Sequence, residues 1–214
     1  MKVEVWSDIM CPFCYIGKRN YENAVKQFAG ADDIEIEWKS FQLDPTIPQG
    51  ESYPSEEEYL AKSKGMAPAQ VKGMLQSVSQ TAAQAGVEMN FDKVIVANTM
   101  YAHRLLHFAK SKGLGNELKE RLFKAHFTDG LDVGKIEVLV QLTGEIGLDA
   151  AESKAILESE EYLYDVSQDI QEAANIGVQG VPFFVFNRKF AISGAQPVEA
   201  FLETLEKAAS HTEL

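Results

Sequence analysis

Val3 and Val5 alternate with Glu4 and Trp6, which predicts a short strand over residues 2–7. From Tyr15 to Phe28 the period changes. Ile16, Tyr21, Ala24, Val25 and Phe28 fall on one helical stripe, and Gly30 is the expected stop. Ile34, Ile36 and Trp38 then alternate with Glu35, Glu37 and Lys39, predicting a second strand. A β-α-β unit within forty residues implies two parallel strands joined by a right-handed crossover. Residues 45–54 carry Pro45, Pro48, Gly50 and Pro54 and read as a loop. Beyond Ser55 the pattern is helical, with helices expected near 55–64, 68–85, 97–112, 115–127, 135–146, 149–158 and 161–176. Strand chemistry resumes at Phe183-Phe184-Val185-Phe186, turns at Asn187-Arg188-Lys189 and returns through Phe190-Ala191-Ile192. A last helix is expected over 197–209.

A sheet that is interrupted and then resumed makes the helical block an insertion. The expected fold is α/β, with residues 1–44 and 165–214 forming one discontinuous domain. Residues 45–164 form a large all-helical domain inserted between the second and third strands. No internal repeat or low-complexity tract is visible.

The 214 residues carry a formal net charge of −12. So acidic a chain is a poor partner for nucleic acid or anionic lipid, both of which want a basic face. No apolar run approaches the roughly 20 residues of a membrane span, so no membrane partner is expected. Met1-Lys2 passes directly into strand-like sequence with no apolar signal region, and a cytoplasmic location is expected. Two cysteines are too few for a disulfide-stapled scaffold.

Those two cysteines, Cys11 and Cys14, stand just after a strand and at the opening of a helix. Unpaired N–H groups and the positive end of the helix dipole favour a thiolate there. Cys14, one turn further on, can close a disulfide and is the more buried. Cys11 is therefore the expected attacking thiolate and Cys14 the resolving thiol. Pro12 suits the first helical turn. Half of a zinc site and a pair of inert core thiols are the other readings. A structural zinc site wants four ligands, and neither a second cysteine pair nor suitably spaced histidines supply them, so no metal is expected. Far along the chain, Val181-Pro182 directly precedes the resumed strand. A proline there fits a cis bond, which turns the Val181 N–H and C=O outward toward an extended substrate.

Ser7-Asp8-Ile9-Met10-Cys11-Pro12-Phe13-Cys14-Tyr15-Ile16-Gly17-Lys18 resembles the opening of the DsbA-like proteins of the FrnE type. These are similar in turn to 2-hydroxychromene-2-carboxylate isomerases and kappa-class glutathione transferases. Asn98-Thr99, Ala102-His103-Arg104-Leu105, Gly177 to Val185 and Ser193-Gly194-Ala195-Gln196-Pro197 extend the match over nearly the whole chain. The resemblance implies a thioredoxin fold with an inserted helical domain, and thiol–disulfide oxidoreductase activity. It implies Cys11 as nucleophile, Cys14 as resolver and Pro182 as a cis-proline. The isomerase and transferase relatives carry serine where Cys11 stands, so two cysteines favour redox chemistry. Pro-Phe replaces the Pro-His of periplasmic DsbA between the cysteines, removing one donor to a thiolate.

The expected substrates are protein or low-molecular-weight thiols and disulfides. No cofactor is needed beyond glutathione as a co-substrate, and the chain is expected to be a monomer or homodimer. Val181, Pro182, His103 and Phe13 are the candidate substrate-binding residues. Trp6 and Tyr15 are further candidates for an apolar rim, or core. Val5 stands where thioredoxin-like enzymes often place a buried acid, leaving Asp8 as the nearest carboxylate, expected as a cap or turn residue. A glutathione-dependent isomerase or transferase acting on an aromatic molecule, and a binding module or holdase with vestigial cysteines, are the alternative functions.

Overall fold

Strand β1 (Lys2–Ser7) lies inside a four-stranded sheet between β2 (Glu35–Ser40) and β5 (Phe183–Phe186), with β6 (Phe190–Ser193) at the far edge. It runs parallel to β2, with Val5 opposite Trp38, and antiparallel to β5, with Val5 also opposite Phe184. An interior strand covered on both faces buries both sets of side chains, and every residue of β1 after Lys2 is buried. Val3 and Val5 face a core shared with Tyr21 of helix α1 (Pro12–Val25) and with Phe201 and Leu205 of α9 (Val198–Ser210). Trp6 faces the opposite side, against Ala173 of α8 (Leu163–Asn175) and Val185. Glu4 on that side is buried and paired with Arg188. The computed structural model describes residues 1–211.

Between β2 and β5 the chain forms α2 (Glu56–Lys64), α3 (Pro68–Gln84), α4 (Met100–Ser111), α5 (Gly115–Lys124), α6 (Ile136–Glu145) and α7 (Ala150–Glu158). Each expected helix is present, and the helical block is inserted between the second and third strands of the main sheet, as expected. Leu105, Leu118, Leu122, Leu139, Leu142 and Ile156 form the core of its distal part. A second cluster joins Val78, Ala82, Phe123 and Phe127 of the insertion to Cys11, Cys14, Tyr15 and Ile16. Helix α8 begins at Leu163, so a division at 164/165 falls within its first turn. Asp169 ties α8 to the sheet. Its carboxylate accepts the Ser40 N–H at 2.8 Å and lies 3.0 Å from His107 Nε2, and its carbonyl accepts Trp6 Nε1 at 2.9 Å.

Three details differ from expectation. Helix α1 starts at Pro12 instead of Tyr15, because proline at the first position already has helical φ and no N–H to waste. It ends at Val25, after which Gln27 and Phe28 bond back three residues in tighter turns. Ser52–Tyr53 (β3), expected as loop, pairs with Val96–Ala97 (β4), so α4 begins only at Met100. Two-residue ladders are too short to show a period.

Candidate active site

Cys11 is the N-cap of α1, in extended conformation (φ −90°, ψ 112°), and Pro12 opens the helix. The turn is set by two backbone bonds, Cys11 N–H to the Asp8 carbonyl (3.2 Å) and Cys14 N–H to the Cys11 carbonyl (3.0 Å). Both cysteines are thiols. Cys11 keeps 4% of its surface and Cys14 none. The Cys11 thiol donates to the Val181 carbonyl at 3.5 Å, and the Val181–Pro182 bond is cis. Residues 170 apart in sequence therefore meet at one sulfur. Gly17 makes that approach feasible, since a Cβ there would stand 2.9 Å from Pro182 Cγ.

Burial pushes the Cys14 thiol well above its ordinary value. A hydrogen bond to the Cys11 sulfur and the charge there add to the shift, and the Lys119 ammonium opposes it. Cys14 is thus held protonated until something removes its proton, whereas Cys11 stands at the helix N-terminus and keeps a small accessible surface. That division of labour suits attack by Cys11 and resolution by Cys14.

Beneath the cysteines lies a set of buried ionisable side chains. Asp8 has no exposed surface; it accepts the Leu43 N–H at 2.7 Å, and its other oxygen lies 3.2 Å from His103 Nε2. Burial raises the Asp8 carboxyl, but the bond from His103, the Leu43 N–H and Thr99 together hold it below its ordinary value. Burial likewise holds His103 below its ordinary value, so its neutral ring donates Nε2–H to an ionised Asp8. Lys119 is 1% exposed and lowered by burial to about 8. His126, also fully buried, is lowered by burial to about 4, and neither ring nitrogen has a partner among the described residues.

The candidate substrate-binding residues divide. Phe13, which separates the cysteines in sequence with Pro12, has 45% of its surface exposed, and Val181 is half-buried beside the Cys11 sulfur. Pro182 is buried, packed against Gly17. His103 is not a cleft residue, which corrects the expectation. It has no accessible surface and its ring is committed to Asp8. Trp6 and Tyr15 belong to the core, where Tyr15 stacks on Phe123 at 5.0 Å. Asp8 is more than a turn residue, because its side chain is the buried partner of His103. Sequence reasoning passed over Lys119 entirely, since its segment, Gly-Asn-Glu-Leu-Lys-Glu-Arg-Leu-Phe-Lys, reads as an ordinary amphipathic helix.

Residues 2–206 match the DSBA-like thioredoxin domain. The chain belongs to that family. Among the curated members it is 33% identical to the uncharacterized protein YwbO of Bacillus subtilis, over 97% of this chain and 95% of that one. It is also similar to the crystal structure of the probable DsbA oxidoreductase SCO1869 from Streptomyces coelicolor, with 37% identity and a TM-score of 0.93. That match covers 98% of this chain and 90% of the other. The cytosolic disulfide reductase DsbM from Pseudomonas aeruginosa shares the fold at 19% identity, with a TM-score of 0.67 over 97% of this chain and 99% of that one. For a DSBA-like chain the geometry of Cys11, Cys14 and the Val181–Pro182 segment is the part that bears on chemistry. No helix among the described residues is long and apolar enough to cross a membrane.

Proposed function

We propose that the chain is a thiol–disulfide oxidoreductase that works through Cys11 and Cys14, in the cytoplasm, on protein or low-molecular-weight disulfides. The observation that carries this reading is the asymmetry of the pair. Cys11 is at the helix N-terminus and keeps 4% of its surface, and Cys14 is fully buried one turn behind it and held protonated. Cys11 thiolate attacks a substrate disulfide, a Cys11–substrate bond forms and one substrate thiolate leaves. Cys14, as thiolate, then attacks Cys11 Sγ. The Cys11–Cys14 bond forms, the Cys11–substrate bond breaks and the second substrate thiol is released. The substrate is reduced by two electrons and the pair is oxidised. Reduction by two molecules of a thiol such as glutathione returns the enzyme, and run backwards the same steps oxidise a substrate. Phe13 offers an apolar contact beside the sulfur, and the Val181 backbone offers polar groups to an extended chain.

Trapping tests the reading. Cys14→Ser removes the resolving thiol, so a covalent adduct on Cys11 should accumulate in cell extract, and Cys11→Ser should form none. The mass of the trapped partner separates protein substrates from glutathione. If Cys14→Ser traps nothing while the wild type reduces a disulfide, the two-cysteine sequence is wrong. If the wild type performs no exchange at all, the binding-module reading replaces it.

A further inference from the structure

Resolution requires that Cys14 carry a negative charge while fully buried, and the steps above do not say what stabilises it. Asp8 cannot, because its carboxylate is itself held ionised by His103 and the Leu43 N–H. His126 cannot, because burial holds its ring neutral. Lys119 remains, and it comes from the other part of the fold.

The position of Lys119 is set by its neighbours. The next residue, Glu120, accepts from Lys18 Nζ at 2.6 Å, Arg19 Nη2 at 2.7 Å and the Tyr15 hydroxyl at 2.8 Å. These bonds hold α5 against α1 and turn Lys119 inward. Its Nζ lies 4.9 Å from the ring centroid of Phe123 and 5.5 Å from that of Trp38. Phe123, one turn along α5, stacks on Tyr15, the residue after Cys14, and packs in the same cluster as both cysteines. None of the ion pairs among the described residues involves Lys119, while those of its neighbour Glu120 do the surface clamping. A buried ammonium without a carboxylate is costly, and contact with two rings offsets only part of that cost. The groups that favour its charge are Cys14 first, then Asp8 and Cys11, with Lys18 opposing. Burial lowers the amine and raises the Cys14 thiol, so each charge is costly alone and is favoured by the other.

We propose that Lys119, supplied by the helical insertion, sets the protonation of Cys14: its buried ammonium, without a carboxylate in ion-pair contact among the described residues, stabilises the Cys14 thiolate on which resolution depends. The inference rests on the oxidoreductase reading and names the residue that makes its second step possible. The Cys14 proton passes to solvent, leaving a thiolate beside the Lys119 ammonium. The thiolate displaces the substrate sulfur from Cys11, and that sulfur departs with the electron pair of the broken bond and is protonated by solvent. Lys119 makes no substrate contact and acts through Cys14, as a positioning residue.

The test has one arm that needs no activity. In a Cys11→Ser background the ultraviolet absorbance of the Cys14 thiolate is followed against pH, with Lys119 intact and with Lys119→Met. The substitution should move the midpoint upward, so that the thiolate fraction at a given pH falls by about tenfold. Lys119→Gln should behave like Lys119→Met, and Lys119→Arg, which keeps the charge, should hold the midpoint nearer that of the parent. In the otherwise unaltered chain, Lys119→Met should slow release of a mixed disulfide by about tenfold at neutral pH and shift that step's profile to higher pH. The attack by Cys11, read in a Cys14→Ser background, should change less. A Cys14 midpoint that stays in place in both neutral variants, with native circular dichroism, overturns the proposal. If the wild type exchanges no disulfide, the oxidoreductase reading falls on its own, and the Cys14 titration still decides the role of Lys119.

Discussion

Asp8 and His103 share a hydrogen bond of 3.2 Å with no exposed surface on either side chain, and it joins the segment before the cysteines to the helical insertion. Removing one partner of a buried polar pair leaves the other unsatisfied, which costs more than the pair's net contribution. His103→Leu should therefore destabilise by about 3 kcal/mol in urea at neutral pH, leaving the Asp8 carboxylate with the Leu43 N–H and Thr99. The folded Asp8 lies below its ordinary value of 3.8, so its contribution is present above that value and is lost as pH falls through the folded one. Asp8→Asn should cost stability at pH 7, and the difference from wild type should shrink on acidification. Equal stability of wild type and His103→Leu would remove the pair from any account of the fold.

His126 gives a different pH window. Its ordinary value is 6.5 and burial lowers the folded one to about 4. The unfolded chain then takes the proton first, so the contribution is fully present above 6.5 and is lost as pH falls toward 4. The loss across that window is on the order of 3 kcal/mol. Chemical denaturation at several pH values should show His126→Leu with a distinctly flatter profile there. A profile parallel to the wild type would show that the ring is charged in the folded state.

Glu56 works in the opposite sense. It stands in the first turn of α2 with one carboxylate oxygen unpartnered among the described residues, and burial raises it from 4.5 to about 7. The folded chain binds this proton more tightly than the unfolded one. Stability is therefore present below 4.5 and is lost as pH rises to about 7. Glu56→Gln, neutral at every pH, should raise the melting temperature at pH 8 and change it little at pH 4. A lowered melting temperature at pH 8 would mean the carboxylate has a compensating partner.

Gly17 and Gly73 form a controlled pair. A Cβ at Gly17 meets the rigid ring of Pro182 at 2.9 Å, whereas a Cβ at Gly73, within α3, meets nothing within 4 Å. Gly17→Ala should cost about 1–3 kcal/mol through overpacking and should slow disulfide exchange by displacing Val181 from Cys11. Gly73→Ala should stabilise by about 0.5–1 kcal/mol through helix propensity and leave exchange untouched. Thermal melts and an insulin-reduction assay read both variants.

Local pattern made the alternating strands, the long helices, the cysteine pair and the Val181–Pro182 step legible. Val3 and Val5 with Glu4 and Trp6, or Ile34 to Lys39, are periodic enough to show a strand before any contact is known. Three site features resisted for physical reasons. Lys119 looks like its neighbours Glu120 and Arg121, and only the approach of α5 to α1 buries the one and leaves the others half-buried. Asp8 has the sequence context of a turn residue, and its partner is 95 positions away. His103 sits within a recognisable motif, where a histidine invites a surface role, whereas the packing of α4 leaves it no surface at all.

The 170-residue separation between Cys11 and the Val181 carbonyl also orders events in time. A ribosome releases the two cysteines early and the segment that faces them late. At roughly 5–20 residues per second, some ten to thirty seconds pass between the two. Strand β1 lacks its antiparallel partner β5 throughout that interval, and the Cys11 sulfur lacks the carbonyl it meets in the finished fold. During synthesis the nascent chain carries a bare dithiol, open to whatever thiols and disulfides surround it, before it has the surface with which to choose among them.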